Sequence, residues 1–232
     1  MESTGSAEGA ASTGRAEGAA SAGGTGSPGS AAFEAVLCDL DNVIRFYDTG
    51  ELARLERAAG LPAGATAAVA FAPERGEALM LGRIGREEWV DAIAAGLTGQ
   101  VPAVRARALG MALAAAPFRA DAEVLGLLRA ARDRMPVLLV TNAASDLDED
   151  LLSLGMADFL PGVVNSARVG VAKPGRRIYE IAAAQAGVSP ERCLFVDDKP
   201  ENVAAAVALG MQGLHFRGVG DLREVLAAAA AG

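Results

Sequence analysis

The sequence predicts an α/β protein: a Rossmann-like, doubly wound parallel sheet core with an all-helical cap domain inserted after the first strand. Three observations predict it. Short apolar runs ending in polar residues recur, FEAVLCDL at 33–40, MPVLLVTNA at 135–143 and CLFVDD at 193–198, and such runs suit strands buried on both faces. Helical patterns stand between the later runs, and strands alternating with helices make a parallel sheet covered on both sides. Residues 46–116 break the alternation and read as helices throughout.

The elements follow in order. Residues 1–30 are mostly Gly, Ala, Ser and Thr and hold a near-repeat, TGSAEGAAS at 4–12 and TGRAEGAAS at 13–21. Such a segment buries too little apolar surface to offset its ordering entropy, so a disordered tail is expected. The core is assigned to 31–45 and 117–232, and the cap to 46–116. The first strand lies in FEAVLCDL. The cap reads as ELARLERAAG, an alanine-rich stretch at 62–72, REEWVDAIAAGL with Trp89, Val90 and Ile93 at helical spacing, and 103–116. Trp89 and Phe71 are expected in the cap's own core. DAEVLGLLRAARDR at 121–134 follows, with Asp121 as N-cap and Val124, Leu125 and Leu128 on one face. After the second apolar run, DLDEDLLSLG at 146–155 is a helix stopped by Gly155. FLPGVVNS at 159–166 is a weaker fourth strand. GRRIYEIAAAQAG at 175–187 and ENVAAAVALG at 201–210 flank the third run, and LHFRG at 214–218 is a fifth strand.

Composition narrows the function. A net charge of -8 and a pI near 4.8 argue against nucleic acid or an anionic membrane surface, since both need basic patches. No apolar segment reaches the roughly 18 residues of a membrane helix. The N-terminus carries Glu2 and Glu8 and lacks the apolar segment of a secretory signal, so the expected location is the cytoplasm. Cys38 and Cys193 lie in separate apolar runs and read as buried, reduced thiols. Two cysteines and one histidine do not make a structural zinc site. Among the basic residues there are 19 arginines and two lysines, Lys173 and Lys199. Each lysine is either a chance survivor or a place where a compact ammonium cannot be exchanged for a guanidinium fork. Lys199 reads as an exposed loop side chain.

In a doubly wound sheet, ligands bind outside the carboxyl ends of the strands. Four polar clusters fall there: Asp39 with Asp41, Thr141 with Asn142, Lys173, and Asp197 with Asp198. If the extended backbone persists, its period of two puts Asp39 and Asp41 on one side. Adjacent carboxylates repel, so a cation is expected among them. Oxygen-only ligands point to a hard ion, Mg²⁺ first. With Lys173, a hydroxyl and nearby backbone N–H groups, such a site can hold a phosphate dianion. His215, the only histidine, lies far from these motifs. Acid–base chemistry therefore falls to a carboxylate, which excludes histidine triads and histidine phosphotransfer.

DLDNVI at 39–44, VTNA at 140–143, KPGRRIY at 173–179 and VDDKPEN at 196–202 resemble the four motifs of the haloacid dehalogenase superfamily. They stand in that family's order within residues 33–226, and the helical insert resembles its cap of the first type. The resemblance implies a Mg²⁺-dependent phosphatase acting on a small phosphorylated metabolite through a phosphoaspartate. It implies that Asp39 is the nucleophile, and that Asp41 protonates the leaving oxygen and then activates water. Thr141 and the Asn142 N–H would hold phosphate oxygens, and Lys173 would neutralise both phosphate and Asp39. The metal set would be Asp39, Asp41 through its backbone carbonyl, Asp198 and Asp197. Asp198 aligns with the direct ligand, while Asp197 and Asn202 align with outer-shell supports. Asn42 departs from the family, which more often has glycine there; asparagine tolerates the left-handed turn.

Several rivals share parts of this pattern. A 2-haloacid dehalogenase on the same fold lacks the second aspartate of the first motif. A phosphosugar mutase uses a cap histidine and lysine, and 46–116 contains neither. A phosphoaspartate signalling module has its acidic pair first and no insert. A catalytically idle relative would not need intact motifs. Arg45 is either a solvated linker residue or one facing the substrate; Cys38 and His215 read as structural. Oligomeric state is not encoded in any of these motifs.

Overall fold

The structure, a computed structural model, describes residues 33–231; the tail expected at 1–30 lies outside them. Chain order runs β1 (Ala35–Cys38), β2 (Arg45–Tyr47), α1 (Gly50–Ala58), α2 (Ala65–Ala70), α3 (Pro73–Met80), α4 (Arg86–Gly96) and α5 (Ala103–Ala114). It continues with β3 (Phe118–Ala120), α6 (Ala122–Arg132), β4 (Val137–Thr141), α7 (Leu147–Ser153), β5 (Val163–Asn165), α8 (Ser166–Val169) and α9 (Arg176–Ala186). The last elements are β6 (Cys193–Asp197), α10 (Pro200–Ala208), β7 (Gln212–His215) and α11 (Val219–Ala231).

The main sheet has five parallel strands in the order β5-β4-β1-β6-β7. Its three central strands are the three apolar runs of the sequence, and each is buried along its whole length. Their side chains alternate between two cores. Val36, Cys38, Leu139, Leu194 and Val196 pack toward α6, α7 and α11, whereas Leu37, Leu138, Val140 and Phe195 pack toward α9 and α10. That is the period of two with both faces dry, and it accounts for runs with no polar alternation. Asp121 caps α6 as expected, its Oδ1 accepting from the N–H groups of Glu123 and Val124. Gly155 stops α7 with φ +68°.

Four expectations are corrected. The strand expected at 159–166 is confined to Val163–Asn165, because Ala157–Gly162 winds as a 3₁₀ turn and Pro161 has no N–H for a ladder. The fifth strand lies at Gln212–His215 rather than 214–218. There Gly213 lets α10 approach, since a Cβ would sit 2.6 Å from Val203 Cγ1 and 2.7 Å from Val207 Cγ2. Residues 46–116 are not wholly helical: β2 runs into them and pairs antiparallel with β3, with Tyr47 and Phe118 rings edge to face at 5.7 Å. Finally, Trp89 is buried in the apolar cluster of α1–α5, but Phe71 beside it is 50% exposed.

No helix among the described residues is long and apolar enough to cross a membrane. Cys38 and Cys193 are free and fully buried, as read from their apolar runs.

Candidate active site

Three neighbouring strands end side by side. Thr141 closes β4, Asp197 closes β6, and Asp39 follows β1 with its N–H held by Val196 O at 2.8 Å. Because β1 has β4 on one side and β6 on the other, this is the point where the strand order reverses and a crevice opens.

Lys173 enters from the segment before α9 and places Nζ 2.7 Å from Asp39 Oδ1 and 2.7 Å from Asp197 Oδ2, with its side chain 1% exposed. Burial opposes its charge, but the Asp39 and Asp197 carboxylates outweigh that and hold the ammonium above its ordinary pKa. For Asp39 burial wins: with the Asp197 charge it pushes the carboxyl up to about 7 against the pull of Lys173. Asp197 is fully engaged. Asn202 Nδ2 donates to both its oxygens at 3.0 Å, and the Lys199 N–H donates to Oδ1 at 2.8 Å. Asn202 is itself buried, its carbonyl accepting from Tyr179 OH at 3.0 Å.

Asp198 differs from its neighbour. Oδ2 accepts from Asn42 Nδ2 at 3.1 Å, whereas Oδ1 is buried without a partner. Burial raises its pKa, partly opposed by the Asn42 bond. Asn42 has φ +61°, so the left-handed turn expected from its side chain is present. His215, distant in sequence, is brought by β7 beside the fourth motif, its ring meeting the Asp198 carbonyl at 3.0 Å, which corrects the expectation that no histidine lies near the motifs. Lys199 is exposed as read.

The second and third motifs lock together. Asn142 Oδ1 accepts from the Lys173 N–H at 2.8 Å and Asn142 Nδ2 donates to Lys173 O at 2.9 Å. Thr141 Oγ1 beside them is buried and unpartnered. A buried hydroxyl without a partner is costly, and a ligand oxygen at this place would satisfy it.

Asp41 does not join the other acids. The extended backbone ends at Cys38, and the N–H groups of Ile44 and Arg45 both turn back to Leu40 O at 2.8 Å. The Asp41 carboxylate is instead held by Arg45, with Nε at 2.6 Å and Nη2 at 3.1 Å. Arg45 is neither solvated nor a simple linker residue: it is 3% exposed and also reaches Asp150 of α7 at 2.8 Å. Arg86 of α4 chelates Asp146, just before α7, at 2.8 and 3.0 Å. Sequence reading missed this network; the acidic run DLDED at 146–150 was its one visible trace.

Among the described residues, carboxylate oxygens of Asp39, Asp197 and Asp198 come within 4.8 Å of one another. Three acids face one ammonium there, one oxygen lacks a partner, and all donors are oxygen. That set fits a hard divalent cation.

Comparisons place this geometry among known proteins. A family model for haloacid dehalogenase-like hydrolases matches residues 33–210. The sesquiterpene phosphatase astK of Aspergillus oryzae is 37% identical over 101 residues, 43% of this chain and 52% of that protein. A phosphoserine phosphatase of Thermus thermophilus is 34% identical over 130 residues, 49% of this chain and 52% of that one. The chain thus spans about half the length of these curated relatives. A solved HAD family enzyme from Bacteroides thetaiotaomicron, in complex with magnesium and inorganic phosphate, superposes with a TM-score of 0.60 at 20% identity, covering 78% of this chain and 93% of that one.

Proposed function

The chain belongs to the haloacid dehalogenase-like hydrolases, and from that footing we propose that it is a Mg²⁺-dependent phosphatase cleaving a small phosphomonoester through a phosphoaspartate. The observation that carries the reading is Lys173, clamped between Asp39 and Asp197 at 2.7 Å each, with the unpartnered Asp198 Oδ1 and Thr141 Oγ1 beside it. The two relatives are named for a sesquiterpene and for phosphoserine. Their common part is the phosphate, and it is the phosphate that this cluster suits.

In this reading an Asp39 oxygen attacks phosphorus, and the bond to the leaving oxygen breaks. Asp41 donates a proton to that oxygen, takes one from water, and the water opens the phosphoaspartate to release phosphate and restore Asp39. Arg45 donates one N–H to each Asp41 oxygen, and each oxygen keeps a further lone-pair site, so the carboxyl can pass a proton while Arg45 holds it in place. Thr141 Oγ1 and the Asn142 N–H hold phosphoryl oxygens, and Lys173 keeps Asp39 and the phosphate together. Asp39, Asp198 and the Asp41 carbonyl would hold Mg²⁺, with Asp197 and Asn202 behind them. When bound, the metal neutralises charge on the phosphoryl group. The helices within 46–116 serve as the cap over the leaving group, and the cytoplasm is the proposed location.

Purified protein is expected to hydrolyse p-nitrophenyl phosphate with Mg²⁺, to lose that activity in EDTA, and to be silenced by Asp39→Asn. Full activity in Asp39→Asn sinks the mechanism. Metal-independent turnover of 2-chloropropionate makes the protein a dehalogenase instead.

A further inference from the structure

A cavity of about 470 Å³ runs from Asp41, Asn42 and Asn142 at the strand ends to a wall made by α2–α5 and β2. That volume lies in the range of small-molecule sites. Its wall is apolar and aromatic: Phe46, Phe71, Leu79, Met80, Trp89 and Leu113. Phe71, half exposed beside the buried Trp89, is part of this lining.

Most polar groups on the lining are already committed. Met80 O accepts from Ser166 Oγ at 2.6 Å, and Ala114 O accepts from Arg86 Nη1 at 2.9 Å. The Trp89 indole donates to Ala70 O, and Asn142 is spent on the Lys173 backbone. Three acids, Asp41, Asp146 and Asp150, outnumber Arg45 and Arg86 and are each bonded to one of them, so the lining offers no cation to a second anionic group. Two side-chain hydroxyls, Tyr47 and Thr49, remain on the lining, few for a polyol of this size. A sugar or polyol would give up many water contacts here for few replacements, which is costly.

We propose, building on the phosphatase reading, that the leaving group is an uncharged, predominantly apolar alcohol, alkyl, prenyl or aryl, and that the α2–α5 wall selects it by burial. Phosphate binds at the strand ends, where Asn142 joins the lining to Lys173, and the hydrocarbon fills the cavity.

The test is binding of methyl-, butyl- and octylphosphonate in Mg²⁺ by calorimetry. Each methylene that enters the cavity should lower Kd by roughly threefold to fourfold, so octylphosphonate should bind at least about a hundredfold more tightly than methylphosphonate. Phe71→Ser, at a half-exposed position, should cut that ratio by about tenfold. A Kd that is flat with chain length overturns the proposal. So does tighter binding of glucose 6-phosphonate or of an aminoalkylphosphonate than of the alkyl series. Phosphonates are not turned over, so this result is independent of the p-nitrophenyl phosphate assay: hydrolysis with a flat Kd series removes only the leaving-group inference.

Discussion

Arg45 grips Asp41 by both carboxylate oxygens, 2.6 Å from Nε and 3.1 Å from Nη2, while its Nη1 reaches Asp150 at 2.8 Å. One buried guanidinium therefore sets the position of the side chain assigned to proton transfer, and ties the turn after β1 to α7. Arg86 extends the chain of charges from α4, lying 3.7 Å from the same Asp150 oxygen.

Replacing Arg45 with Met strands two acids. Breaking a buried pair costs about 3–5 kcal/mol, with the lower end expected here because Asp41 is a third exposed. At about 2–4 °C per kcal/mol, calorimetry should show a melting temperature lower by several degrees. Since Arg45 positions Asp41 rather than phosphate, kcat should fall about tenfold to hundredfold with KM little changed. A KM effect alone would make Arg45 a substrate-binding residue.

Lys173 permits no conservative exchange. Lys173→Met leaves Asp39 and Asp197 facing each other with no cation, and Lys173→Arg brings a planar fork into a site 1% exposed. Both variants should lose about a hundredfold to a thousandfold in kcat/KM, the scale of one preorganised electrostatic contact. Steady-state assays on p-nitrophenyl phosphate decide it, and recovery of activity in Lys173→Arg is the contrary result.

The acidic cluster predicts an unusual pH dependence of stability. Burial raises Asp39 to about 7 and also raises Asp198. Unfolded carboxyls titrate near 4, so between about pH 4 and 7 the folded chain keeps protons the unfolded chain has lost. Metal-free stability is then fullest at the acid end of that window and declines as pH rises through it. Asp146 and Asp158, lowered by their bonds to Arg86 and Arg129, act in the opposite sense, but below about pH 4. In EDTA the melting temperature should fall from pH 5 to 7.5, and Mg²⁺ should restore more at 7.5. Asp39→Asn should flatten the decline while abolishing turnover.

Asn42 supports two functions that a substitution can separate. Asn42→Gly keeps the left-handed backbone but removes the bond to Asp198. Folding stability should change by less than about 1 kcal/mol, whereas Mg²⁺ affinity should weaken severalfold. Asn42→Val should instead cost about 1–2 kcal/mol from the backbone alone. Calorimetric titration of Mg²⁺ against both variants distinguishes the two contributions.

Much of this was legible because the informative residues are local. A strand buried on both faces announces itself as an unbroken apolar run, and Asp39, Thr141 and Asp197 stand at the ends of three such runs. What sequence reading missed depends on distance. Arg45 is covered by the Tyr47 and Phe118 rings and meets Asp150, 105 residues away. β2 and β3 are three residues each and gain strand character from one another across the helical insert. Phe71 has the composition of a core residue, and only the cavity beside it explains its exposure. The direction of Asp41 follows from a turn that begins just after Cys38, before an extended period of two reaches both acids.

The sulfur chemistry of the site follows from where its cysteines sit. Cys38 is sealed next to Asp39, its Sγ donating to the Asp39 carbonyl, and burial raises its pKa well above that of a free thiol. Cys193 is pushed up to about 11 for the same reason. Thiolate is the form that alkylating agents and peroxide attack, and neither residue supplies it at neutral pH. Turnover should therefore survive iodoacetamide and mild peroxide without added reductant. On the proposed reading, transfer runs through oxygen with the neighbouring sulfur locked away, and activity persists under oxidants that silence a cysteine nucleophile.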